Sequence, residues 1–137
     1  MILQPMKLLR DIAVSHLLTV APDATLRRAA RIMTDRGVGA AVVMENERVA
    51  GIVTERDMLH AIAEGTDMES VTVGDIMTRD VVSGAPGWHV LQAVQTMTEH
   101  RFRHLLVTEM DEPVGIVSLR DLMDAIVEMV QEADASA

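Results

Sequence analysis

Two pairs of side chains in this sequence have the types and spacing to hold a polar ligand: Thr54 with Asp57, and Ser118 with Asp121. In each pair a hydroxyl residue ends an apolar run, Gly51-Ile52-Val53 or Gly115-Ile116-Val117, and an aspartate follows three positions later. This spacing predicts a strand handing over to a helix through a capping box, in which the hydroxyl accepts from a backbone N–H of the first turn. The aspartate then sits near the positive end of the helix dipole, which favours its ionised form. An ionised carboxylate there suits acceptance of hydrogen bonds from hydroxyl groups better than proton donation, so Asp57 and Asp121 read poorly as paired catalytic acids. Arg56 and Arg120 stand one residue before the aspartates. A small anion could be held by such an arginine or by the helix N-terminus. Either pair alone implies no more than a well-capped helix.

The two pairs are not alone. Sliding the sequence over itself by 64 residues matches it without a gap. Asp11-Ile12 falls on Asp75-Ile76, Ala21-Pro22 on Ala85-Pro86, Met33-Thr34 on Met97-Thr98, and Ala61-Ile62 on Ala125-Ile126. One supersecondary unit is therefore used twice, over roughly 7–70 and 71–134.

Each half predicts the same elements. A short helix leads, over Leu8 to Ala13 and Val73 to Met77. A short strand follows, over Leu17 to Val20 and Val81 to Ser83. Apolar residues at helical spacing come next: Leu26, Ala29, Ala30 and Met33 in the first half, and Val90, Leu91, Val94 and Met97 in the second. Two strands, Gly39 to Met44 and Arg48 to Val53, flank the polar turn Glu45-Asn46-Glu47. Their counterparts are His104 to Thr108 and Pro113 to Val117, around Met110-Asp111-Glu112. The closing helices run over Glu55 to Glu64 and Leu119 to Gln131, and Ala133 to Ala137 reads as a frayed tail. The order is β-α-β-β-α, twice, an α+β fold. A unit of about 60 residues buries its sheet face poorly alone. The expected solution is two units packed sheet to sheet about a pseudo-twofold axis, with two related clefts between them.

Composition narrows the function. There is no cysteine, so disulfides, thiol nucleophiles and thiolate metal sites are excluded. Net charge is −9, with 8 basic and 10 acidic residues in the first 70 and 4 basic and 11 acidic in the rest. So acidic a chain is a poor binder of nucleic-acid backbones. Trp88 and Phe102 are the only aromatic residues, too few for a base-stacking platform. No apolar run approaches the roughly 18 residues of a membrane span, and Met1 to Val14 has no signal-like apolar stretch, so a soluble cytoplasmic protein is expected. No serine elbow, P-loop lysine or dinucleotide glycine fingerprint is present, and the chain does not read as an enzyme.

With the motif G-h-h-[ST]-x-x-D in both halves, the sequence resembles a tandem CBS-domain pair, or Bateman module, over residues 7 to about 130. The resemblance implies a non-catalytic regulatory module that binds adenine nucleotides (AMP, ADP or ATP) in the clefts and has no obligatory cofactor. It implies that Asp57 and Asp121 hold ribose hydroxyls and that Thr54 and Ser118 lie near ribose or phosphate. Arg56 and Arg120 become phosphate partners. It further implies that a cleft draws residues from the opposite half. Thr19, Val20, Gly39 and Ala40 would join Ser118 and Asp121, while Val82, Ser83, Arg103 and His104 would join Thr54 and Asp57. Pairs of this family often assemble into a four-domain disc, so a homodimer is expected. The output would pass to an effector protein in trans.

Departures from the pattern leave alternatives open. The family often has proline in the middle strand, where Val42 and Leu106 stand here. Gly84 replaces Val20, Gly87 replaces Asp23, and Trp88 replaces Ala24. Trp88 either covers a pocket, stacks on a ligand, or packs at a helix start. A scaffold that dimerises without a nucleotide, or a sensor of S-adenosylmethionine or Mg²⁺, are the alternatives. Arg27, Arg28, Arg31 and Arg36 read as a solvated face paired with acids. His16, His60, His89, His100 and His104 lack metal-ligand spacing, and no metal site is expected. Met33, Met58, Met97 and Met123 are expected in the core. The last helix, with Leu122, Met123, Ile126, Val127 and Val130, carries more apolar surface than one buried side requires.

Overall fold

A computed structural model describes residues 6–13 and 17–136. His16 lies outside them. The elements in order are α1 (Leu9–Ile12), β1 (Thr19–Val20), α2 (Leu26–Arg36), β2 (Ala40–Glu45), β3 (Arg48–Thr54), α3 (Glu55–Ala63), α4 (Val73–Ile76), β4 (Ser83–Gly84), α5 (Val90–His100), β5 (His104–Glu109), β6 (Glu112–Ser118) and α6 (Leu119–Ser136). They form two three-stranded sheets of the same order, β1-β2-β3 and β4-β5-β6, which gives the α+β class.

In each sheet the short outer strand runs parallel to the middle strand and the hairpin is antiparallel. The hairpin turns are two residues long, with positive φ at Asn46 and Glu47 (53° and 63°) and at Met110 and Asp111 (53° and 64°). Both central residues of a type I′ turn take this conformation, which suits the twist of the flanking strands. A bulge follows at the same place in both hairpins, with Ala50 and Val114 skipped between Val43↔Gly51 and Met44↔Val49, and between Val107↔Gly115 and Thr108↔Pro113. Alternation alone does not reveal a bulge, because the extra residue reads as one more strand position.

The chain forms two compact units. One is Leu17–Val81, and the other joins the N-terminal segment with α1 to everything from Val82 on. The leading helices account for this division. In the second unit Leu9 N donates to Trp88 O at 2.8 Å and Arg10 N to Pro86 O at 3.1 Å. In the first, Val73 N donates to Ala24 O and Gly74 N to Pro22 O, both at 2.8 Å. Each leading helix thus caps the loop that opens α2 or α5 in the half that does not contain it in sequence, and Leu9 and Val73 are fully buried there. Pattern repeats over one interval, and packing closes over another.

Each unit has its own core. Leu26, Ala29 and Met33 of α2 pack with Val20, Ala41, Val43, Val53, Met58 and Val73. Val90, Ala93 and Met97 of α5 pack with Leu9, Leu105, Val107, Val117, Leu122 and Ala125. Burial of each Leu, Val or Met side chain contributes about 1.5–3 kcal/mol. Helix α2 begins at Thr25, whose hydroxyl accepts from Arg28 N at 3.2 Å, and stops at Gly37 in the left-handed conformation.

Three expectations are corrected. Met123 is 57% exposed, because Leu122, fully buried, is the equivalent of Met58 one repeat earlier. Leu91 is exposed, and Ala93 takes the core position. The C-terminal stretch from Ala133 is helical through Ser136, since nothing in its sequence breaks a helix.

Candidate functional site

At the end of β3, Thr54 is the cap of α3. Thr54 N donates to Asp57 Oδ2 at 2.8 Å, and Thr54 Oγ1 lies 3.2 Å from the same oxygen. Asp57 N approaches Thr54 Oγ1 at 3.4 Å. At the end of β6 the arrangement recurs: Ser118 N donates to Asp121 Oδ2 at 2.8 Å and Asp121 N to Ser118 Oγ at 3.1 Å. Both carboxylates are half-buried, and the cap engages Oδ2 in both. Neither cap engages Oδ1.

The neighbouring strands carry the other candidates, the start of β2 or β5 level with the cap and the outer strand two or three positions further along. Ala40 pairs with Thr54, and Gly39 O accepts from Glu55 N at 2.9 Å. Thr19 and Val20 pair with Val42 and Val43 one strand over. In the other unit His104 pairs with Ser118, and Arg103 O accepts from Leu119 N at 2.7 Å. Ser83 pairs with Leu106, and its Oγ accepts from Thr108 Oγ1 at 3.2 Å. Val82 precedes β4. Thr19, Val20, Gly39 and Ala40 therefore share a unit with Thr54, Arg56 and Asp57, and Val82, Ser83, Arg103 and His104 share one with Ser118, Arg120 and Asp121. Val20 and Ala40 are buried, whereas Thr19, Arg56, Arg103 and Arg120 are exposed.

The two edges differ in charge. Glu55 folds over Gly39, where an added Cβ would lie 2.9 Å from its carboxylate oxygen. The equivalents of Gly39 and Glu55 are Arg103 and Leu119. One edge thus presents Glu55 beside Arg56, and the other presents Arg103, His104 and Arg120 with no acid at the corresponding place. Sequence reading passed over Glu55, and comparison of 39/55 with 103/119 was the signal available.

Gly51 and Trp88 have structural roles. A Cβ on Gly51 would lie 2.6 Å from Thr78 O, because the backbone after α4 crosses there and exchanges hydrogen bonds with Ile52 at 2.9 and 3.0 Å. Trp88 packs over Gly84, where a Cβ would meet its Cε3 at 3.0 Å. Glycine and tryptophan together replace the valine and alanine of the first unit, so the ring fills core space.

Asp75 repeats the capping geometry in α4, with Thr72 N and Oγ1 both 3.0 Å from Oδ2. These bonds, the backbone one foremost, hold its carboxyl below the usual aspartate value of 3.8. Among the described residues no cluster of three or more His, Asp or Glu side chains is placed to hold a metal ion. No helix among them is long and apolar enough to cross a membrane.

The family profile described as CBS domain matches residues 9–64 and 73–128, once on each signature. The chain belongs to the CBS-domain family. It is 35% identical over 133 residues to the CBS domain-containing protein YhcV of Bacillus subtilis (strain 168), covering 96% of this chain and 93% of that one. Among solved structures, an uncharacterized conserved protein from Pyrococcus horikoshii superimposes with a TM-score of 0.83 at 30% identity, over 90% of this chain and 95% of that one. A CBS domain protein from Pyrobaculum aerophilum, complexed with AMP, superimposes with a TM-score of 0.80 at 25% identity, over 91% and 99%. As a CBS pair this chain carries two copies of a domain whose strand-to-helix junction is the capped hydroxyl–carboxylate pair.

Proposed function

We propose that this CBS pair is a non-catalytic regulatory module that binds adenosine-type ligands, AMP, ADP or ATP, at its two hydroxyl–carboxylate junctions. The observation that carries the reading is the geometry of the caps. Each engages its aspartate through Oδ2, and in this reading Oδ1 accepts from ribose hydroxyls. The AMP complex of the Pyrobaculum aerophilum relative supports the ligand class. The edge with Arg103, His104 and Arg120 suits a phosphate, since guanidinium groups offer charge and a fork of donors. The edge with Glu55 suits a ligand of lower negative charge. Binding shifts the population of conformations only as far as the ligand's affinity differs between them, and a partner protein reads the shift.

A second reading, self-association, is favoured by the exposed apolar side chains of α3 and α6: Leu59, Ile62, Met123, Val127 and Val130 are 53–68% exposed. The deciding experiment is a thermal-shift series with AMP, ADP, ATP, S-adenosylmethionine and Mg²⁺. A shift with an adenine nucleotide that is lost in Asp57→Ala or Asp121→Ala supports the first reading and names the junction used. No shift with any nucleotide, in a protein that remains associated on dilution, favours a ligand-free scaffold. A shift with S-adenosylmethionine or Mg²⁺ alone reassigns the ligand.

A further inference from the structure

The first turns of α3 and α6 agree at the positions that build the cap and disagree at the one beside it. Thr54, Arg56 and Asp57 match Ser118, Arg120 and Asp121, but Glu55 stands where the second unit has Leu119. Leu119 is half-buried and packs against the core of its unit. Glu55 is exposed and turns instead toward Gly39, just before β2. Its N–H donates to Gly39 O at 2.9 Å. Its whole carboxylate lies over the same residue, the carbon and both oxygens 2.9–3.0 Å from where a Gly39 Cβ would be. Gly39 is not among the glycines with positive φ, so it supplies room rather than a special backbone conformation. In the second unit a side chain fills that position, Arg103, and the carboxylate is gone.

We propose that Glu55 is the specificity-determining residue of the Asp57 junction and that Gly39 positions it. Together they turn this junction toward nucleosides with an uncharged or cationic 5′ group, adenosine before AMP and AMP before ATP, while the Asp121 junction ranks them in reverse. The inference rests on the reading that the two aspartates hold ribose. Asp57 and Arg56 recur as Asp121 and Arg120, so neither distinguishes the junctions. What differs is one carboxylate added and one guanidinium removed. A 5′ phosphate is tied to its ribose through a single carbon. At this junction it therefore stays within reach of Glu55 over the Debye length, about 8–10 Å at moderate salt. An unpaired like charge is a standard means of rejecting one ligand in favour of another. Gly39 matters because the carboxylate can fold back over the strand only where no Cβ stands.

Asp121→Ala isolates the first junction and Asp57→Ala the second. Calorimetry in Mg²⁺-free buffer then gives dissociation constants for adenosine, AMP and ATP at each. In Asp121→Ala, adenosine is expected to bind about tenfold tighter than AMP, with the gap narrowing as salt is raised. In Asp57→Ala the order should invert. Glu55→Gln, added to Asp121→Ala, keeps the shape and removes the charge; AMP should gain about tenfold with adenosine unchanged. Gly39→Ala keeps the charge and displaces it. Only the end of a flexible side chain has to give way, so the fold is kept while the adenosine-to-AMP ratio shifts several-fold. Added to Glu55→Gln, Gly39→Ala should change the ratio no further, since position 39 acts through the carboxylate. Glu55→Gln in the otherwise unaltered chain gives the same readout at the weaker of two AMP sites.

Equal affinity for adenosine and AMP in Asp121→Ala overturns the selectivity. A ratio that Glu55→Gln leaves unmoved overturns the assignment of Glu55. Either result, with binding still lost when both aspartates are replaced, leaves the ribose reading intact. AMP binding that survives in the Asp57→Ala/Asp121→Ala double variant, or a parent that binds none of the three ligands, overturns that reading and this inference with it.

Discussion

Replacing Asp57 by alanine removes two things at once, and the structure separates them. The first is the cap. Asp57 Oδ2 satisfies the N–H of Thr54 at 2.8 Å, and loss of such a cap costs about 1 kcal/mol, within a range of roughly 0.5–2. With an unfolding entropy of about 2.1 cal/mol/K per residue, 137 residues give about 0.29 kcal/mol/K, so the ligand-free midpoint should fall by about 3–4 °C. The second is the ligand. A nucleotide at about 100 times its dissociation constant stabilises by roughly 2.7 kcal/mol, which raises the parent's midpoint by about 9 °C. The readout is the increment on adding ligand, measured separately for each variant against its own ligand-free midpoint. If Asp57 Oδ1 holds ribose, Asp57→Ala loses the increment from its own junction as well as the cap. Asp121→Ala does the same at the other junction. Should both variants drop by a few degrees without ligand and still show the parent's full increment with AMP, ADP and ATP, the carboxylates are caps only. The ribose assignment then fails.

Four other outcomes follow from particular contacts. Gly51→Ala drives a Cβ against Thr78 O at 2.6 Å and should cost about 2–4 kcal/mol by overpacking and by weakening the two hydrogen bonds at Ile52. Chemical denaturation checks it, and removing the Met77 side chain as well should not rescue it, since the obstacle is backbone. Glu47→Gly relieves a non-glycine residue at φ 63° in the type I′ turn, and a gain of about 0.5–1 kcal/mol is expected in the same assay. Asp75 has a folded pKa depressed below 3.8, so its contribution is present above that value and lost as pH falls through the folded pKa. Denaturation midpoints of Asp75→Asn should therefore fall less steeply below pH 3.8 than those of the parent. Gly84→Val and Trp88→Ala should each destabilise by about 1–3 kcal/mol, by overpacking and by cavity formation, while the double variant recovers much of the loss.

The repeat, the class and nearly all twelve elements among the described residues were legible in the sequence because each is written locally. Apolar periodicity marks α2 and α5, the polar turns mark the hairpins, and the hydroxyl–carboxylate spacing marks the caps. What escaped was set by packing between distant segments. The crossing of Thr78 over Gly51, the closure of α1 onto the loop before α5, and the folding of Glu55 over Gly39 depend on residues with no local signature. Met123 was misplaced for a simpler reason. Methionine was read by type, and the repeat offset, which puts Leu122 on Met58, was the better guide to orientation in α6.

The differences between the halves come in matched pairs, and this bears on function. Val20 with Ala24 and Gly84 with Trp88 fill comparable space by different divisions of volume, so that change preserves the core. Gly39 with Glu55 and Arg103 with Leu119 also differ together, a glycine beside a carboxylate in one unit and an arginine beside a leucine in the other. The second exchange, however, reverses the charge at the sheet edge beside the capped aspartate. A carboxylate at one edge and a guanidinium at the other mean that two junctions with the same caps offer a ligand different fields. Occupancy of the two by one nucleotide should therefore occur with different affinities, the Asp121 edge taking the more highly charged ligand. Loss of the AMP and ATP increments in equal proportion from Asp57→Ala and Asp121→Ala would count against that difference.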